Sequence, residues 1–244
     1  MKILVIGDSC KDIFVYGDIH RVCPEAPVPV FNPTHQTEND GMAKNVVRNL
    51  EALGCDVEFI SNDNSIKKIR YVDNKSNQMV LRVDENDYCR SIDDSEIDYI
   101  NQWGKTFDAV IISDYCKGFL DEEDICFIAD KCNDVFLDTK KEIGDWADDV
   151  DFIKINELEY EKNYRGKSNN DKLIVTLGPK GCRYKGKVFS VDEVSAVKDV
   201  SGAGDTFMSG LVVEYIKTKN IKKAINFAQL CASKVVKKRG VVTL

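Results

Sequence analysis

Short apolar runs alternate with helix-like segments through the second half of this 244-residue chain. The apolar runs that predict strands lie at residues 108–113, 135–138, 152–156 and 173–177. The segments that predict helices lie at residues 121–132, 203–217 and 221–237. Such alternation is typical of an α/β fold with a central, mostly parallel sheet and helices on both faces. An earlier apolar run at residues 3–6, followed by Gly7-Asp8, predicts that a buried parallel strand opens the chain.

Residues 13–32 and 66–84 predict a small β lid beside the central sheet. Both regions contain alternating apolar positions, and the first includes a proline-rich stretch at residues 24–29. Because proline cannot donate to a strand ladder, that stretch belongs at a sheet edge or in a loop. The chain length suits one domain over residues 1–244, with the lid as its appendage.

Composition narrows the classes of function. The net charge of −7 makes the chain a poor general partner for nucleic acid. Nine cysteines, an odd number without a CxxC pair, predict reduced thiols and a cytoplasmic protein. Only two histidines argue against a His-rich zinc site or a Ser-His-Asp triad. The apolar runs are too short for a membrane helix, and the first strand starts near Met1, so we expect neither membrane insertion nor a signal peptide.

The segment Gly202-Ala203-Gly204-Asp205 carries the sharpest chemical signal. Two glycines permit a tight turn, and an apolar helix follows at once. The first N–H groups of such a helix, together with its dipole, form a site for anions. A carboxylate beside a phosphate-sized anion is suited to deprotonating a hydroxyl during phosphoryl transfer. The alternative interpretation is a glycine turn with a helix-capping Asp205.

Residues 200–207 resemble the C-terminal signature of the ribokinase-like (PfkB) carbohydrate kinases. The resemblance implies a ribokinase-like fold and an ATP-dependent sugar kinase. It assigns Asp205 as the base that activates the sugar hydroxyl, and the amides of Gly202, Ala203 and Gly204 as the anion hole. It covers nearly the whole chain.

Two further segments extend this resemblance to the nucleotide. Asn156-Glu157-Leu158-Glu159 is similar to the family's Asn-x-x-Glu motif, which implies that Asn156 and Glu159 organise Mg²⁺, largely through water. Thr176 and Gly181 resemble the family's nucleotide-binding strand and turn. ATP and Mg²⁺ are therefore the expected cosubstrate and metal.

The N-terminal part is most similar to the heptose 7-phosphate kinases, the kinase half of a bifunctional heptose kinase and adenylyltransferase. That resemblance implies that Asp12, Gly41 and Asn45 lie at the sugar. Basic side chains suit a distal sugar phosphate, and each could equally be a solvated surface charge. The candidates for the phosphate are Lys68, Arg70, Lys117 and Lys140.

The chain departs from this pattern in three ways. Met42 replaces the second glycine of a Gly-Gly motif, where its side chain could crowd the sugar or simply pack. About a dozen residues join Gly54 to the lid, where the family usually has another βαβ unit of some 30 residues. We expect no adenylyltransferase half within the sequence. Part of the substrate wall could come from a second subunit, and the family's lid pairing makes a homodimer a fair hypothesis.

Two other functions stay open. The same fold could phosphorylate another sugar, a sugar phosphate or a nucleoside. A relative without turnover could bind a ligand only, which Met42 and the shortened segment favour slightly, whereas the intact Gly202–Asp205 and Asn156–Glu159 motifs argue against it.

Overall fold

The computed structural model describes residues 1–163, 171–191, 197, 199–238 and 243–244. Its strands are β1 (Lys2–Gly7), β2 (Ser9–Val22), β3 (Pro29–Met42), β4 (Asp56–Ile60), β5 (Ile66–Asp73), β6 (Met79–Glu85), β7 (Ala109–Asp114), β8 (Val135–Thr139), β9 (Phe152–Asn156), β10 (Leu173–Thr176), β11 (Cys182–Tyr184) and β12 (Lys187–Phe189). Its α-helices are α1 (Ala43–Ala52), α2 (Asp94–Trp103), α3 (Glu122–Lys131), α4 (Glu157–Asn163), α5 (Ala203–Thr218) and α6 (Ile221–Val235).

Eight strands form the large sheet, in the order β12-β11-β10-β9-β8-β7-β1-β4. Every pair from β4 to β10 is parallel, and within the described residues only β11 and β12 join antiparallel. The mostly parallel sheet expected from the sequence is therefore confirmed.

The two faces of the large sheet carry separate apolar cores. On one face, Leu4, Ile112 and their neighbours pack with Ile125 and Ile128 of α3. On the other, Ile3, Ile111 and their neighbours pack with α1, α5 and α6. Each fully buried aliphatic side chain stabilises the fold by about 1.5–3 kcal/mol. Because adjacent strand residues point to opposite faces, continuous apolar runs feed both cores.

Four strands form a second, small sheet in the order β3-β2-β5-β6. β2 pairs antiparallel with β3 and parallel with β5, and β5 pairs antiparallel with β6. β3 continues to Met42, beyond the range 13–32 expected for the lid. The small sheet thus runs directly into α1, which carries Asn45.

Met42 stands where the resemblance leads us to expect a second glycine. Its side chain is buried and belongs to an apolar core. Its φ of 58° lies in the region that favours glycine, so the backbone still turns there as a glycine would. The structure therefore shows Met42 packing in the interior.

The segment after Gly54, which the structure describes throughout, contains no additional βαβ unit, since β4 is followed directly by β5. β4 is the edge strand of the large sheet, and β5, which begins at Ile66, already belongs to the small sheet.

No helix in the described part of the chain is both long enough and apolar enough to cross a membrane.

Candidate active site

The N-terminus of α5 forms the centre of the candidate site. Gly202 precedes the helix with φ 75°, a left-handed conformation that glycine adopts without steric cost. The amide of Ala203 donates to the Val200 carbonyl at 3.2 Å. Helix geometry leaves the next two amides, of Gly204 and Asp205, without an intrahelical acceptor. These two amides, together with the helix dipole, suit an anion, whereas the Ala203 amide, which the sequence also assigned to the anion hole, is engaged by Val200.

Asp205 lies in the first turn of α5 and is only 4% exposed. Asn45 Nδ2 donates to its Oδ2 at 2.7 Å, and the Tyr115 hydroxyl donates to its Oδ1 at 2.7 Å. Burial raises the pKa of Asp205, while these two hydrogen bonds and the charge of Lys154 oppose the rise. The carboxylate is held in one orientation with a basicity above that of an exposed Asp, which suits a general base.

Of the three residues expected at the sugar, Asn45 lies next to this carboxylate, and Asp12 and Gly41 lie next to each other. Asn45 is buried in the first turn of α1 and contacts Asp205 directly. Asp12, on β2, is buried and forms an ion pair with Arg70 of β5. Gly41 lies against them, because a Cβ there would overlap Asp12 Oδ2 and come within 2.8 Å of Cys10 Sγ. Arg70, which was expected at the distal phosphate, thus pairs with Asp12.

Three more cations were expected to bind a distal phosphate. Lys140 pairs with Glu159, and Lys117 pairs with Asp87 at 2.6 Å. Lys68 lies over the Tyr115 ring, with its ammonium 5.5 Å from the centroid. Within the described residues, no carboxylate lies at salt-bridge distance from Lys68.

The environment of Lys68 sets it apart from the other cations. Burial lowers the pKa of Lys68, the nearby Cys10 and Asp12 raise it, and the charges of Lys117 and Arg82 lower it again. A partly desolvated ammonium with no carboxylate at salt-bridge distance gains from an anionic ligand. Of the four expected phosphate ligands, Lys68 is the best placed to bind one.

Asn156 and Glu159 hydrogen-bond to each other's backbone. The Asn156 amide donates to Glu159 Oε2 at 2.8 Å, and the Glu159 amide donates to Asn156 Oδ1 at 2.9 Å. Lys140 occupies the other carboxylate oxygen. With its oxygens engaged, Glu159 fits a role towards Mg²⁺ through water better than direct ligation. Glu157 and Leu158 are exposed.

A cleft of about 600 Å³ lies beside the α5 turn. It brings together four residues that the sequence assigned to ATP and the transferring phosphoryl group, Thr176, Gly181, Ala203 and Gly204. Apolar side chains such as Phe207 and Val236 line most of the remaining wall. An apolar cleft that opens onto a helix N-terminus suits a nucleotide, with the base in the cleft and the phosphates at the helix.

Sequence reasoning missed two members of the site besides Tyr115. Lys154 of β9 and Asp138 of β8 form an ion pair, with both side chains about 5% exposed. A Cβ on Gly204 would lie 3.1 Å from Lys154 Nζ, so the ammonium lies directly against the α5 turn. Asp138 Oδ1 is buried and finds no hydrogen-bond donor among the described residues. A lysine inside an apolar strand was the signal available in the sequence.

Comparisons with known proteins agree with this geometry. The family model of the pfkB family carbohydrate kinases matches residues 115–244. The bifunctional protein HldE of Helicobacter pylori J99 is 32% identical over 293 residues, which covers 98% of this chain and 63% of that protein. The bifunctional protein HldE of Nitratiruptor sp. is 31% identical over 292 residues, which covers 99% of this chain and 63% of that protein. The chain thus spans less than two thirds of the length of these relatives.

Solved structures share the fold. Ribokinase from Thermotoga maritima superposes with a TM-score of 0.71 at 20% identity, covering 98% of this chain and 94% of the other. Phosphofructokinase-2 from Escherichia coli superposes with a TM-score of 0.74 at 13% identity, again covering 98% and 94%. At these identities the likeness concerns the fold alone, and it confirms the ribokinase-like architecture.

Proposed function

Because the chain belongs to the pfkB family of carbohydrate kinases, we propose that it transfers the γ-phosphoryl group of ATP to the anomeric hydroxyl of D-glycero-D-manno-heptose 7-phosphate. Phosphoryl transfer to a sugar hydroxyl is the activity of the family. The choice of heptose 7-phosphate rests on the N-terminal sequence pattern and on Lys68, a half-buried cation without a carboxylate partner among the described residues, which would suit a second phosphate. The similarity to the HldE proteins over nearly the whole chain supports the same choice.

Asp205 carries the proposed mechanism. Its carboxylate accepts the proton of the sugar hydroxyl as that oxygen attacks the γ-phosphorus, while the bond from the phosphorus to the leaving oxygen of ADP breaks. The amides of Gly204 and Asp205 then stabilise the charge on the transferring group, with Lys154 beneath the same turn. Asn45 and Tyr115 keep the base oriented throughout.

A divalent cation would be held through water, since the described residues include no group of three or more His, Cys, Asp or Glu that could ligate one directly. Mg²⁺, when bound, offsets the charge of the nucleotide phosphates. Asn156 and Glu159 would hold its water ligands, and the Asp138 oxygen that lacks a donor is a further acceptor for them.

The test is ADP release that depends on Mg-ATP, measured with D-glycero-D-manno-heptose 7-phosphate, ribose and fructose 6-phosphate in parallel. We expect selective release with the heptose phosphate. Asp205→Asn should lower turnover by about 10²–10⁴-fold, because it removes the general base, while ATP binding is retained. Unchanged turnover in this variant would refute the base assignment. Release with another sugar only would discard heptose phosphate, and binding of ATP without release on any sugar would favour the non-catalytic alternative.

We also propose a homodimer that forms through the small sheet. Every residue of the edge strand β6 is exposed, and its apolar side chains Met79 and Leu81 are each 55% exposed. An unpaired strand with exposed apolar side chains is a ready surface for pairing with a second copy.

A further inference from the structure

Tyr115 joins the sugar side, the base and the nucleotide side of the site. It follows β7 directly and lies in none of the helices or strands. Its hydroxyl contacts Asp205, and its ring contacts two lysines that come from different parts of the fold.

A buried carboxylate fixes the turn that carries Tyr115. Asp8, 1% exposed at the end of β1, accepts the Tyr115 amide at 2.6 Å. It also accepts the amides of Lys117 and Phe119, each at 3.4 Å. Three backbone donors on one buried carboxylate anchor the turn to the large sheet, because breaking them would leave polar groups unsatisfied in the interior. The direction in which the Tyr115 side chain leaves the backbone is therefore set.

The hydroxyl of Tyr115 is one of two donors to the Asp205 carboxylate. It takes Oδ1, and Asn45 takes Oδ2, each at 2.7 Å. One donor on each oxygen prevents rotation of the carboxylate and leaves a lone pair on each oxygen for a substrate hydroxyl. Without Tyr115, only Asn45 would fix the orientation of the base.

The ring of Tyr115 holds two ammonium groups. Lys68 Nζ lies 5.5 Å from the ring centroid, and Lys140 Nζ lies 5.2 Å from it. Lys68 comes from the small sheet, whereas Lys140 follows β8 and pairs with Glu159. Cation–π contacts at these distances are favourable, more so when the groups are partly desolvated.

We propose that Tyr115 is a positioning residue for phosphoryl transfer: its hydroxyl orients Asp205, and its ring keeps Lys68 and Lys140 beside the reacting groups. The inference rests on the proposed role of Asp205 as the base. Other charged or titratable groups also face Asp205, and Tyr115→Phe alters none of their side chains. They are Lys154, Asp138, Lys140 and Cys10.

The first test is Tyr115→Phe, which keeps the ring and removes the donor. We expect kcat to fall about 10- to 100-fold, as for a misplaced catalytic group, with the Kd for ATP unchanged within about twofold. The acid limb of the pH profile, where kcat/KM falls as the pH is lowered, should move to higher pH. The sign follows because the lost donor favoured the charged carboxylate, so the pKa of Asp205 rises and the base is protonated earlier as pH falls.

Tyr99→Phe is the matched control, since Tyr99 also donates to a carboxylate, that of Glu58, at another place in the fold. It should leave the acid limb and kcat unchanged. Tyr115→Leu tests the ring, and should raise KM for the sugar phosphate above that of the Phe variant. A Phe variant with the parent's kcat and acid limb would overturn the inference.

Two further measurements test the role of Tyr115 if the Phe variant fails to fold or if no acceptor sugar is found. Incorporation of 3-fluorotyrosine at position 115 strengthens the donor, so the acid limb should move to lower pH. A ¹³C-carboxyl NMR titration needs no sugar: the Asp205 signal, identified by its loss in Asp205→Asn, should titrate at lower pH in the fluorotyrosine protein than in the parent. An unmoved titration overturns the inference. Retained turnover in Asp205→Asn would instead overturn the base assignment itself.

Discussion

Lys154 and Asp138 are charged residues in the interior of the large sheet, where burying a charge costs free energy. Both side chains are about 5% exposed, and they pair with each other between neighbouring parallel strands. Burying such a pair gains little stability over an apolar pair of the same size, because desolvation offsets the attraction. The Lys154 ammonium lies against the Gly204 turn, where a cation would stabilise the transferring phosphoryl group in the mechanism that we propose.

We therefore expect Lys154→Met to be damaging in two ways. The free energy of unfolding should fall by about 3–5 kcal/mol, since Asp138 becomes a buried charge without a partner. Adding Asp138→Asn should restore much of that stability but not kcat. Urea unfolding and ADP release measure the two effects, and Lys219→Met, which breaks an exposed pair with Asp134, is the control for stability. Full activity in the Lys154 variant would remove its proposed role.

At the scale of single residues, what the sequence reveals depends on local chemistry. The α5 turn is a local motif, so its glycines and Asp205 are visible in eight consecutive residues. The contact of Asp12 with Arg70 depends on which residues of β2 and β5 lie side by side, and sequence patterns do not determine that register. The sequence shows a tyrosine at position 115, but the direction of its ring depends on Asp8, which lies more than 100 positions earlier in the chain.

Among the elements, β5 shows how a strand sorts similar side chains. Lys67 forms an exposed pair with Glu85, whereas Lys68 turns towards Tyr115 and Arg70 turns towards Asp12. Residues two apart share a face of a strand, so Lys68 and Arg70 lie on the side of the active site. The sequence placed both cations in a strand but did not show that Arg70 would be engaged by Asp12.

This sorting gives a prediction with a matched neighbour as its control. Lys68→Ala should raise KM for heptose 7-phosphate about 10-fold or more, and should change KM for a free sugar far less, because a charged hydrogen bond to the distal phosphate is lost. Lys67→Ala should change neither value. Steady-state kinetics with both kinds of acceptor give the answer, and equal effects of Lys68→Ala on the two would contradict a distal phosphate site at this residue.

For the molecule as a whole, the small sheet is the surface to test for assembly. Leu81→Glu should convert a dimer to monomers in light scattering, because a charge would be buried between two copies of β6. Val188→Glu, on the edge strand β12 of the large sheet, should leave the mass unchanged. A parent protein that is already monomeric at working concentration would rule out this dimer.

The order of strands in the large sheet has a consequence for how the chain acquires its fold. Ile3 lies opposite Ala109, so β1 has no inner neighbour until more than 100 further residues have been synthesised. β2 and β3, in contrast, are joined by residues 23–28 alone and can pair early. Contacts between distant residues form slowly, because a long loop must be closed first. During synthesis, the apolar residues 3–6 can pair with β4 on one side, but their other side stays open beside a finished hairpin until β7 is made, and an open strand edge exposes the nascent chain to aggregation.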